Sequence, residues 1–367
     1  MSTYLKIRTL AARARVLLHR ASRATQTEKT QRSEFYLNMW SRAAKEIGAT
    51  VVQTNGDLLT VSRDGAEAKL FRNYTDLDGP VTLRAAGTKP LVHEVLRTQS
   101  IPTPDHQTFS LNRLDVAFKF LRTHVSCVVK PAAGTGAGAG VTTGITTRQQ
   151  LINATITAAG HGGELLIEQQ IAGKNLRLLY LDGKLLDAVE RRPPTVIGDG
   201  KATVARLVRN ANKDRRERGS NAAQVFLSRD LDLERTLADQ GLSWRAVPEA
   251  GKAVRVKTVI NDNAVADNVS VVDVVADEIV EIGRLAAHAI GVRLAGVDVV
   301  TPDFTTDLIT SRGVVLEINT TPGLYIHEGN RPLSVAIPVL EACLNQSQGK
   351  SGAESASQFL SVAAKGI

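Results

Sequence analysis

Two aliphatic segments near the C-terminal end restrict the fold of this chain more than any other feature. AGVDVV at 295–300 and GVVLEIN at 313–319 have the composition of buried strands, and the loop between them is long enough for an antiparallel hairpin. Because side chains alternate faces along a strand, Glu317 and Asn319 point the same way, and Asp298 can stand beside Glu317. The sequence therefore predicts a sheet on which three oxygen-bearing side chains meet.

These three side chains indicate a site for a hard cation. A buried carboxylate or amide needs a partner, and Mg²⁺ takes a few carboxylate oxygens and completes its shell with water and phosphate oxygens. The set contains no histidine or cysteine, which argues against zinc. Spacing alone fits polar residues with a structural role at strand ends equally well, so the metal interpretation depends on the segments that come before.

A glycine-rich segment follows a lysine at the end of a predicted strand. The strand CVVK ends at Lys130, and PAAGTGAGAGVTTG at 131–144 carries Gly134, Gly136, Gly138 and Gly140. Without a Cβ, such a loop can bring backbone N–H groups close to phosphate oxygens. It is neither a Walker A loop nor GxGxxG, and a flexible linker has the same composition. The lysine before it and the threonines after it favour a lid over phosphates.

The remaining sequence predicts helices and short strands in two or three domains. Lys89-Pro90 opens one helix, and the dipeptides Asn55-Gly56 and Asp182-Gly183 predict hairpin turns. GDGK at 198–201 is interpreted as a surface turn, and the charged stretch 212–219 as a solvated loop. Further helices are predicted over 33–48 with Ser33 as N-cap, 111–123, 202–212, 230–240, 276–290 and 333–344, and strands over 67–73, 164–171 and within 253–275.

Composition and charge exclude several classes of protein. Aromatic residues make up 4% of the chain and hydrophobic residues 43%, so aliphatic side chains must build the core, as in an α/β protein. The two cysteines, Cys127 and Cys343, exclude a disulfide framework and fit a reducing compartment, so a cytoplasmic location is expected. No run of about eighteen apolar residues predicts a membrane span, and no membrane partner is expected.

The net charge of +8 has two interpretations, a generally basic surface or attraction of an anion such as a nucleotide or an acidic substrate. The basic residues do not alternate with aromatic ones, so a nucleic-acid partner is not expected.

The first 26 residues contain no acidic residue and several arginines, and Leu10, Ala14, Leu17 and Ala21 fall on one helical face. An organelle transit peptide and a basic amphipathic helix docked on its own domain share this composition. The docked helix is favoured, because no apolar signal core or cleavage pattern follows.

Taken in order, these motifs resemble the ATP-grasp superfamily. They are Lys89, VVKP with the glycine loop, IEQQIAGKNLRLL, AGVDVV and LEINTTPG, and they cover roughly residues 85–345. The sequence is most similar to the ligase domain of cyanophycin synthetases and more distantly similar to D-alanine–D-alanine ligases and RimK-type glutamate ligases. The resemblance implies a mixed α/β (α+β) fold with an N-terminal α/β domain at 1–88, a small central lid domain at 89–167, a C-terminal antiparallel-sheet domain at 168–345 and a flexible tail at 346–367.

The resemblance also implies roles for individual residues. ATP would lie between the last two domains, with Lys89 and Lys130 on its phosphates and Arg177 facing the γ-phosphate or an acyl-phosphate. The adenine hinge and ribose contact would be Glu168, Gln169, Gln170, Ile171 and Asn175. Asp298, Glu317 and Asn319 would hold two Mg²⁺ ions, for which Mn²⁺ is a substitute. Lys257 stands where related chains have arginine, and we expect it, with Arg177 and Lys130, to be catalytic.

The implied activity is an ADP-forming carboxylate–amine ligase that makes an amide bond through an acyl-phosphate. Its substrates would be an amino acid or short peptide, with an acidic one as an alternative, and a homodimer is the expected assembly. We also expect TTPGLYIH and residues 257–268 to shape the acceptor site. His327 fits a substrate contact and an ordinary exposed loop histidine about equally well. Cyanophycin synthetase carries a Mur-ligase-like half that this chain lacks, so polymerisation is not expected. The alternatives are a carboxylase or kinase on the same fold and a catalytically degenerate nucleotide-binding protein.

Overall fold

A computed structural model describes residues 3–20, 23–54, 56–135, 138–217, 226–260, 267–328 and 334–348. Its helices are α1 Thr3–Arg20, α2 Arg23–Glu46, α3 Pro80–Ala86, α4 Lys89–Thr98, α5 Leu114–Leu121, α6 Arg148–Ala159, α7 Val204–Glu217, α8 Leu231–Ala238, α9 Asp277–Ile290 and α10 at 336–348. Its strands are β1 Thr50–Gln53, β2 Leu58–Arg63, β3 Ala66–Phe71, β4 His106–Phe109, β5 Cys127–Pro131, β6 Thr142–Ile145, β7 Leu165–Gln169, β8 Lys174–Leu181, β9 Lys184–Arg191, β10 Thr195–Ile197, β11 Ala253–Arg255, β12 Asn268–Ser270, β13 Leu294–Thr301 and β14 Val314–Asn319.

The described strands form separate antiparallel sheets. The orders are β1-β2-β3, β4-β7-β5-β6, β12-β9-β8-β13-β14 and the pair β10-β11. We refer to the second as the lid sheet and to the third as the C-terminal sheet. Antiparallel pairing places residues on neighbouring strands directly opposite each other, which fixes which side chains can meet.

The N-terminal unit consists of α2, β1–β3 and the turn that follows to residue 74. The inward residues of β3 alternate with exposed ones, as expected for a sheet with one buried face. Tyr36, Met39 and Trp40 of α2 are almost completely buried against this face, in a core that α10 also joins. The N-terminal unit is therefore packed onto the end of the C-terminal sheet rather than standing apart.

The lid sheet is covered by α5 and α6, and α6 begins with a capping box formed by Thr147 and Gln150. The C-terminal sheet is covered by α9, whose Gly283 leaves room for Tyr180 of β8, since a Cβ would lie 2.4 Å from the Tyr180 hydroxyl. These two sheets carry most of the residues that the sequence predicts to be functional.

Helix α1 forms as expected, but it docks on α6 instead of on the N-terminal unit. The face that contacts α6 is not the predicted face with Leu10 and Leu17. Arg8 donates to Asn153 of α6 at 3.2 Å, so α1 lies on the lid sheet's helix. Thr9 faces inward at 5% exposure, whereas Leu10 and Leu17 of the predicted face are 62% and 65% exposed. No helix in the described part of the chain is both long enough and apolar enough to cross a lipid bilayer.

Several element boundaries differ from the expectations. Helix α2 begins at Arg23, and the Ser33 hydroxyl donates to the Lys29 carbonyl inside the helix instead of capping its start. Helix α7 extends to Glu217 and buries Arg215, so most of the predicted charged loop is helical. The 253–275 segment contains β11 and β12, with 261–266 outside the described residues.

Other boundaries agree with the sequence. The two expected hairpins, β1-β2 and β8-β9, are present, and Asp182 and Gly183 both have left-handed backbone angles in the second turn. The C-terminal boundary differs, because α10 continues to residue 348, into the predicted flexible tail, of which the rest lies outside the described residues.

Candidate functional site

A cavity of about 780 Å³ lies between the lid sheet, the C-terminal sheet and the N-terminal unit. Its walls bring together charged side chains that are far apart in the sequence, from α2 to the segment after β14. A cavity of this size with converging polar groups is where a small-molecule site is expected.

The three predicted metal ligands lie together on one wall of this cavity. Asp298 of β13 and Glu317 of β14 are direct cross-strand partners, and Asn319 donates to the Asp298 carboxylate at 3.2 Å. The predicted antiparallel hairpin is therefore confirmed. A register shift directly after Asp298 interrupts the ladder, as β-bulges beside functional sites often do. No group of three or more His, Cys, Asp or Glu side chains suited to a metal occurs among the described residues, and this set has two carboxylates and an amide.

Arg177 contacts the Asp298 carboxylate from the neighbouring strand. The two residues are cross-strand partners on β8 and β13, and the guanidinium donates to both carboxylate oxygens. Burial alone would raise the pKa of Asp298, but the Arg177 charge outweighs it and holds that pKa below its usual value. A Cβ at Gly296 would lie 3.1 Å from the Arg177 Cδ and 2.9 Å from Pro322, so glycine lets the arginine lie across β13.

Both predicted phosphate-binding lysines form ion pairs at the cavity wall. Lys130 of β5 lies 2.7 Å from Glu168 of β7, with both side chains almost fully buried, and Lys89 of α4 lies 3.4 Å from Glu317. Burial raises the pKa of Glu168 in spite of Lys130. The Lys89 amide donates to the Ala132 carbonyl at 3.2 Å, which fixes the start of α4 beside the end of β5.

The predicted hinge segment connects the two sheets along the cavity. Gln169, Gln170, Ile171 and Asn175 all line it, together with apolar residues such as Leu176 and Leu316. The Gln170 amide donates to the Ser126 carbonyl, and its side-chain oxygen accepts from the Ser126 hydroxyl at 3.0 Å. This segment is thus held in place at the edge of the lid sheet, while a contact with adenine or ribose stays a prediction.

The glycine-rich loop reaches the cavity in part. Gly134 and Gly138 have φ angles of 75° and 71°, in the left-handed region that glycine adopts without strain. Gly138 lines the cavity, whereas Gly136 lies outside the described residues.

Two predicted residues are placed elsewhere. Lys257 is buried, and its ammonium lies 2.6 Å from Asp230 and 3.1 Å from the Ser228 hydroxyl rather than lining the cavity. An aspartate at the start of α8 thus pairs with this ammonium, and the catalytic role expected for Lys257 stays a prediction. No sequence pattern indicates this pairing, because it joins residues on different elements.

His327 is also buried and does not line the cavity. Its Nδ1 lies 2.8 Å from the carboxylate of Asp187, which accepts from the Ser270 hydroxyl through its other oxygen. Burial lowers the pKa of His327 against the effect of Asp187. The alternative of an exposed loop histidine is therefore wrong, and a substrate contact of His327 stays a prediction. By contrast, the GDGK segment is a turn as expected, with the Asp199 side chain accepting from two backbone amides.

Sequence reasoning missed the residues that the N-terminal unit and β9 bring to the cavity. They are Arg32, Tyr36, Phe71, Arg72, Asn73, Tyr74 and Arg191. For Arg191 the signal was available, because it is the cross-strand partner of Asn175. The other residues carry no local sequence pattern that indicates a place in the cavity, because segments far apart in the chain form the wall to which they belong.

Known proteins resemble this chain over about 70% of its length. No protein-family model matches the chain. It is 28% identical over 264 residues to cyanophycin synthetase of Nostoc sp. strain PCC 7120, which covers 71% of this chain and 29% of that protein. It is 25% identical over 270 residues to the glutathione biosynthesis bifunctional protein GshAB of Clostridium perfringens, covering 72% of this chain and 34% of that protein. The chain spans about a third of the length of these relatives.

A solved structure shares the fold. The crystal structure of a bifunctional glutathione synthetase from Pasteurella multocida matches with a TM-score of 0.54 and 20% identity, covering 83% of this chain and 43% of that chain. The expected mixed α/β ATP-grasp fold with antiparallel sheets is confirmed, and so is the resemblance to cyanophycin synthetase.

Proposed function

Because the chain has the ATP-grasp fold and resembles cyanophycin synthetase, we propose that it is an ATP-dependent carboxylate–amine ligase. It forms an amide or peptide bond on an amino acid or short peptide through an acyl-phosphate. One observation carries this proposal. The cross-strand pair Asp298 and Glu317, with Asn319, faces the same cavity as Lys89 and Lys130. Oxygen donors and the lysines that we propose to bind phosphate thus line one cavity.

A carboxylate must be activated before an amine can replace its oxygen. Attack of the substrate carboxylate on the γ-phosphorus forms an acyl-phosphate and releases ADP, and attack of the amine on the acyl carbon then releases phosphate. Phosphoryl transfer depends mainly on positioning and on neutralising charge. Lys89, Lys130 and Arg177 supply positive charge at the cavity wall.

The oxygen-bearing wall fits a hard cation. Asp298, Glu317 and Asn319 are the residues that would hold Mg²⁺, and a bound ion supplies neutralisation of phosphate charge. The proposed site holds two Mg²⁺ ions, for which Mn²⁺ can substitute. The residues themselves are positioned beforehand, since Arg177 orients Asp298 and Lys89 orients Glu317.

The lid sheet provides a means of excluding water from the intermediate. The strand that carries Lys130 leads directly into the glycine-rich loop, of which Gly138 and Ala139 line the cavity. Closure of this loop over the phosphates would slow hydrolysis of an acyl-phosphate.

ADP release from the full chain tests the proposal. The protein is incubated with ATP, Mg²⁺ and a panel of amino acids and acidic or neutral dipeptides, singly and in pairs, and ADP and new amide products are measured together. We expect ADP to form in step with an amide. ADP formed with bicarbonate would indicate a carboxylase, ADP with a phosphorylated product and no amide would indicate a kinase, and no nucleotide binding would indicate a degenerate protein.

A further inference from the structure

We propose that Arg32 and Arg72 bind a substrate carboxylate other than the one that is phosphorylated, so that this ligase acts on an acidic amino acid or a peptide with a second free carboxylate. The inference rests on the proposed function and specifies one of its substrates. It assigns a binding role to the N-terminal unit, to which no motif pointed.

The N-terminal unit reaches the cavity beside the predicted metal ligands. Asn73 donates to the Thr321 carbonyl at 2.6 Å, and Thr321 follows Asn319 by two residues. The Arg32 guanidinium lies over the Tyr325 ring, 5.6 Å from its centroid. A ligand at Arg32 would therefore share the cavity with the nucleotide phosphates, as a substrate must.

The charges that line the cavity are unequally distributed. Among the described residues, the cations are Arg32, Arg72, Lys89, Lys130, Arg177, Arg191 and Arg255, and the anions are Glu168, Asp298 and Glu317. All three carboxylates form ion pairs with the lysines and with Arg177. No cavity-lining carboxylate in the described part of the chain is paired with the N-terminal unit. Arg72 is paired with Asp57, which lies outside the cavity lining, so among the described cations of this unit that line the cavity it is Arg32 whose charge is available to a ligand.

The two arginines are suited to binding an anion. Arg32 is half-buried on α2, and the contact that the structure gives its guanidinium is an aromatic face. Arg72 pairs with Asp57 through one nitrogen, while its Nε is buried without a hydrogen-bond partner among the described atoms. A guanidinium binds a carboxylate through two parallel hydrogen bonds, which makes it the usual residue for planar recognition of this group.

The backbone at Arg72 supports a specific role for this position. Its φ of 55° is left-handed, which costs free energy for a residue with a side chain. The Trp40 indole holds it by donating to the Arg72 carbonyl at 2.8 Å, and a bridge between Phe71 and Tyr74 closes the turn. This geometry directs the Arg72 side chain to the cavity wall.

Kinetics with variants and with uncharged substrate analogues test the inference. The carboxylate–amine pair that gives the fastest ADP release with the wild-type protein is used, together with analogues in which each carboxylate is converted to a carboxamide. For Arg32→Ala and Arg72→Ala we expect KM for the acidic substrate to rise about 10- to 100-fold, as for loss of a charged hydrogen bond. KM for ATP and kcat should stay within about threefold.

The controls separate a binding role from damage to the fold. Arg42→Ala removes an arginine on the same helix that does not line the cavity and should behave as wild type. Arg32→Lys should recover part of the affinity. When the non-reacting carboxylate of the substrate is replaced by a carboxamide, the wild type should show a KM as high as that of Arg32→Ala with the acidic substrate. With this analogue, Arg32→Ala should raise KM little further.

The possible failures are distinguishable. Wild-type protein that forms no amide with any pair would refute the proposed function, and this inference with it, before a variant is measured. An active wild type whose best substrate has no second carboxylate, or variants that match Arg42→Ala, would refute the inference alone. An equal loss of affinity for ATP and for the acidic substrate would indicate that the two arginines bind the nucleotide. This result would also refute the inference.

Discussion

The two sides of the cavity differ in how their charges are balanced. On the nucleotide wall, formed by β5, β7, β8, β13 and β14 with the start of α4, the cations Lys89, Lys130 and Arg177 each contact a carboxylate. On the N-terminal wall, formed by α2, the turn after β3 and residues 321–326, Arg32 faces the cavity beside an aromatic ring.

This contrast separates the source of affinity from the source of specificity. Ion pairs on the nucleotide wall hold charged groups in position and offset part of the cost of burying them. A ligand there must compete for partners that already exist. On the N-terminal wall Arg72 is paired with Asp57, whereas no described carboxylate pairs with Arg32, so its counter-charge is left to the ligand and the wall can select a substrate by its charge.

The largest expected effect concerns the nucleotide wall. Glu317→Ala should lower the turnover about 10³-fold, because it removes a predicted metal ligand and the partner of Lys89. ADP release measures this loss, and circular dichroism checks that the protein is folded.

Glu317→Gln retains the shape of the side chain and should also be inactive, whereas Glu278→Gln, an exposed exchange on α9, should be fully active. Near-normal turnover of Glu317→Gln would contradict the metal assignment.

A buried pair gives the next largest effect, on stability. Lys130→Ala leaves the carboxylate of Glu168 buried without its partner and should lower the free energy of unfolding by about 3–5 kcal/mol. Urea denaturation measures the change. The double variant with Glu168→Ala should regain most of the stability but not the affinity for a nucleotide analogue.

Arg32→Ala on the N-terminal wall should change the stability by about 0.5 kcal/mol or less, since its side chain has no ion pair to break in the described structure. Similar destabilisation by Lys130→Ala and Arg32→Ala would remove the distinction between the walls.

A smaller effect is expected where the N-terminal unit joins the C-terminal sheet. Asn73→Ala removes the hydrogen bond to Thr321 and should cost about 1 kcal/mol of stability. It should also raise KM for the acidic substrate several-fold, because the N-terminal wall loses its attachment, while titration calorimetry shows unchanged nucleotide affinity. Asn38→Ala, an exposed exchange on α2, is the matched control. Loss of nucleotide affinity in Asn73→Ala would show that the walls are not independent.

A separate effect is a pH dependence that comes from behind the nucleotide wall. His93 contacts the Leu316 carbonyl at 3.1 Å, and burial, with the charge of Lys130, lowers its pKa to about 3. The unfolded chain takes up this proton near pH 6.5, so the stabilisation is complete above that pH and is lost on acidification towards pH 3.

We expect His93 to contribute a fall of about 1.4 kcal/mol per pH unit in this window, measured by urea denaturation at pH 7.5 and 5.5. The His93→Gln variant should show a smaller fall. An unchanged pH dependence in this variant would exclude His93 as a source. Helix α2 and strands β1–β3 contain no histidine, so their core should not share this response.

Local patterns were sufficient for much of the nucleotide wall. Alternation along two strands predicted that Asp298, Glu317 and Asn319 would meet, and β13 and β14 pair in the register this requires. The turn at Asp182-Gly183 and the start of α4 at Lys89 could also be predicted from the sequence, because turn and helix-start preferences depend on a few adjacent residues.

The remaining features of the site depend on contacts between distant segments. Lys257 and His327 do not line the cavity but pair with Asp230 and Asp187. No spacing rule in the sequence connects them to these partners. Arg32 reaches the cavity because α2 packs beside a segment almost three hundred residues further along the chain. Periodicity along neighbouring strands fixes their geometry, so the chemistry of those strands can be predicted from the sequence. Which charges face the ligand depends on long-range packing.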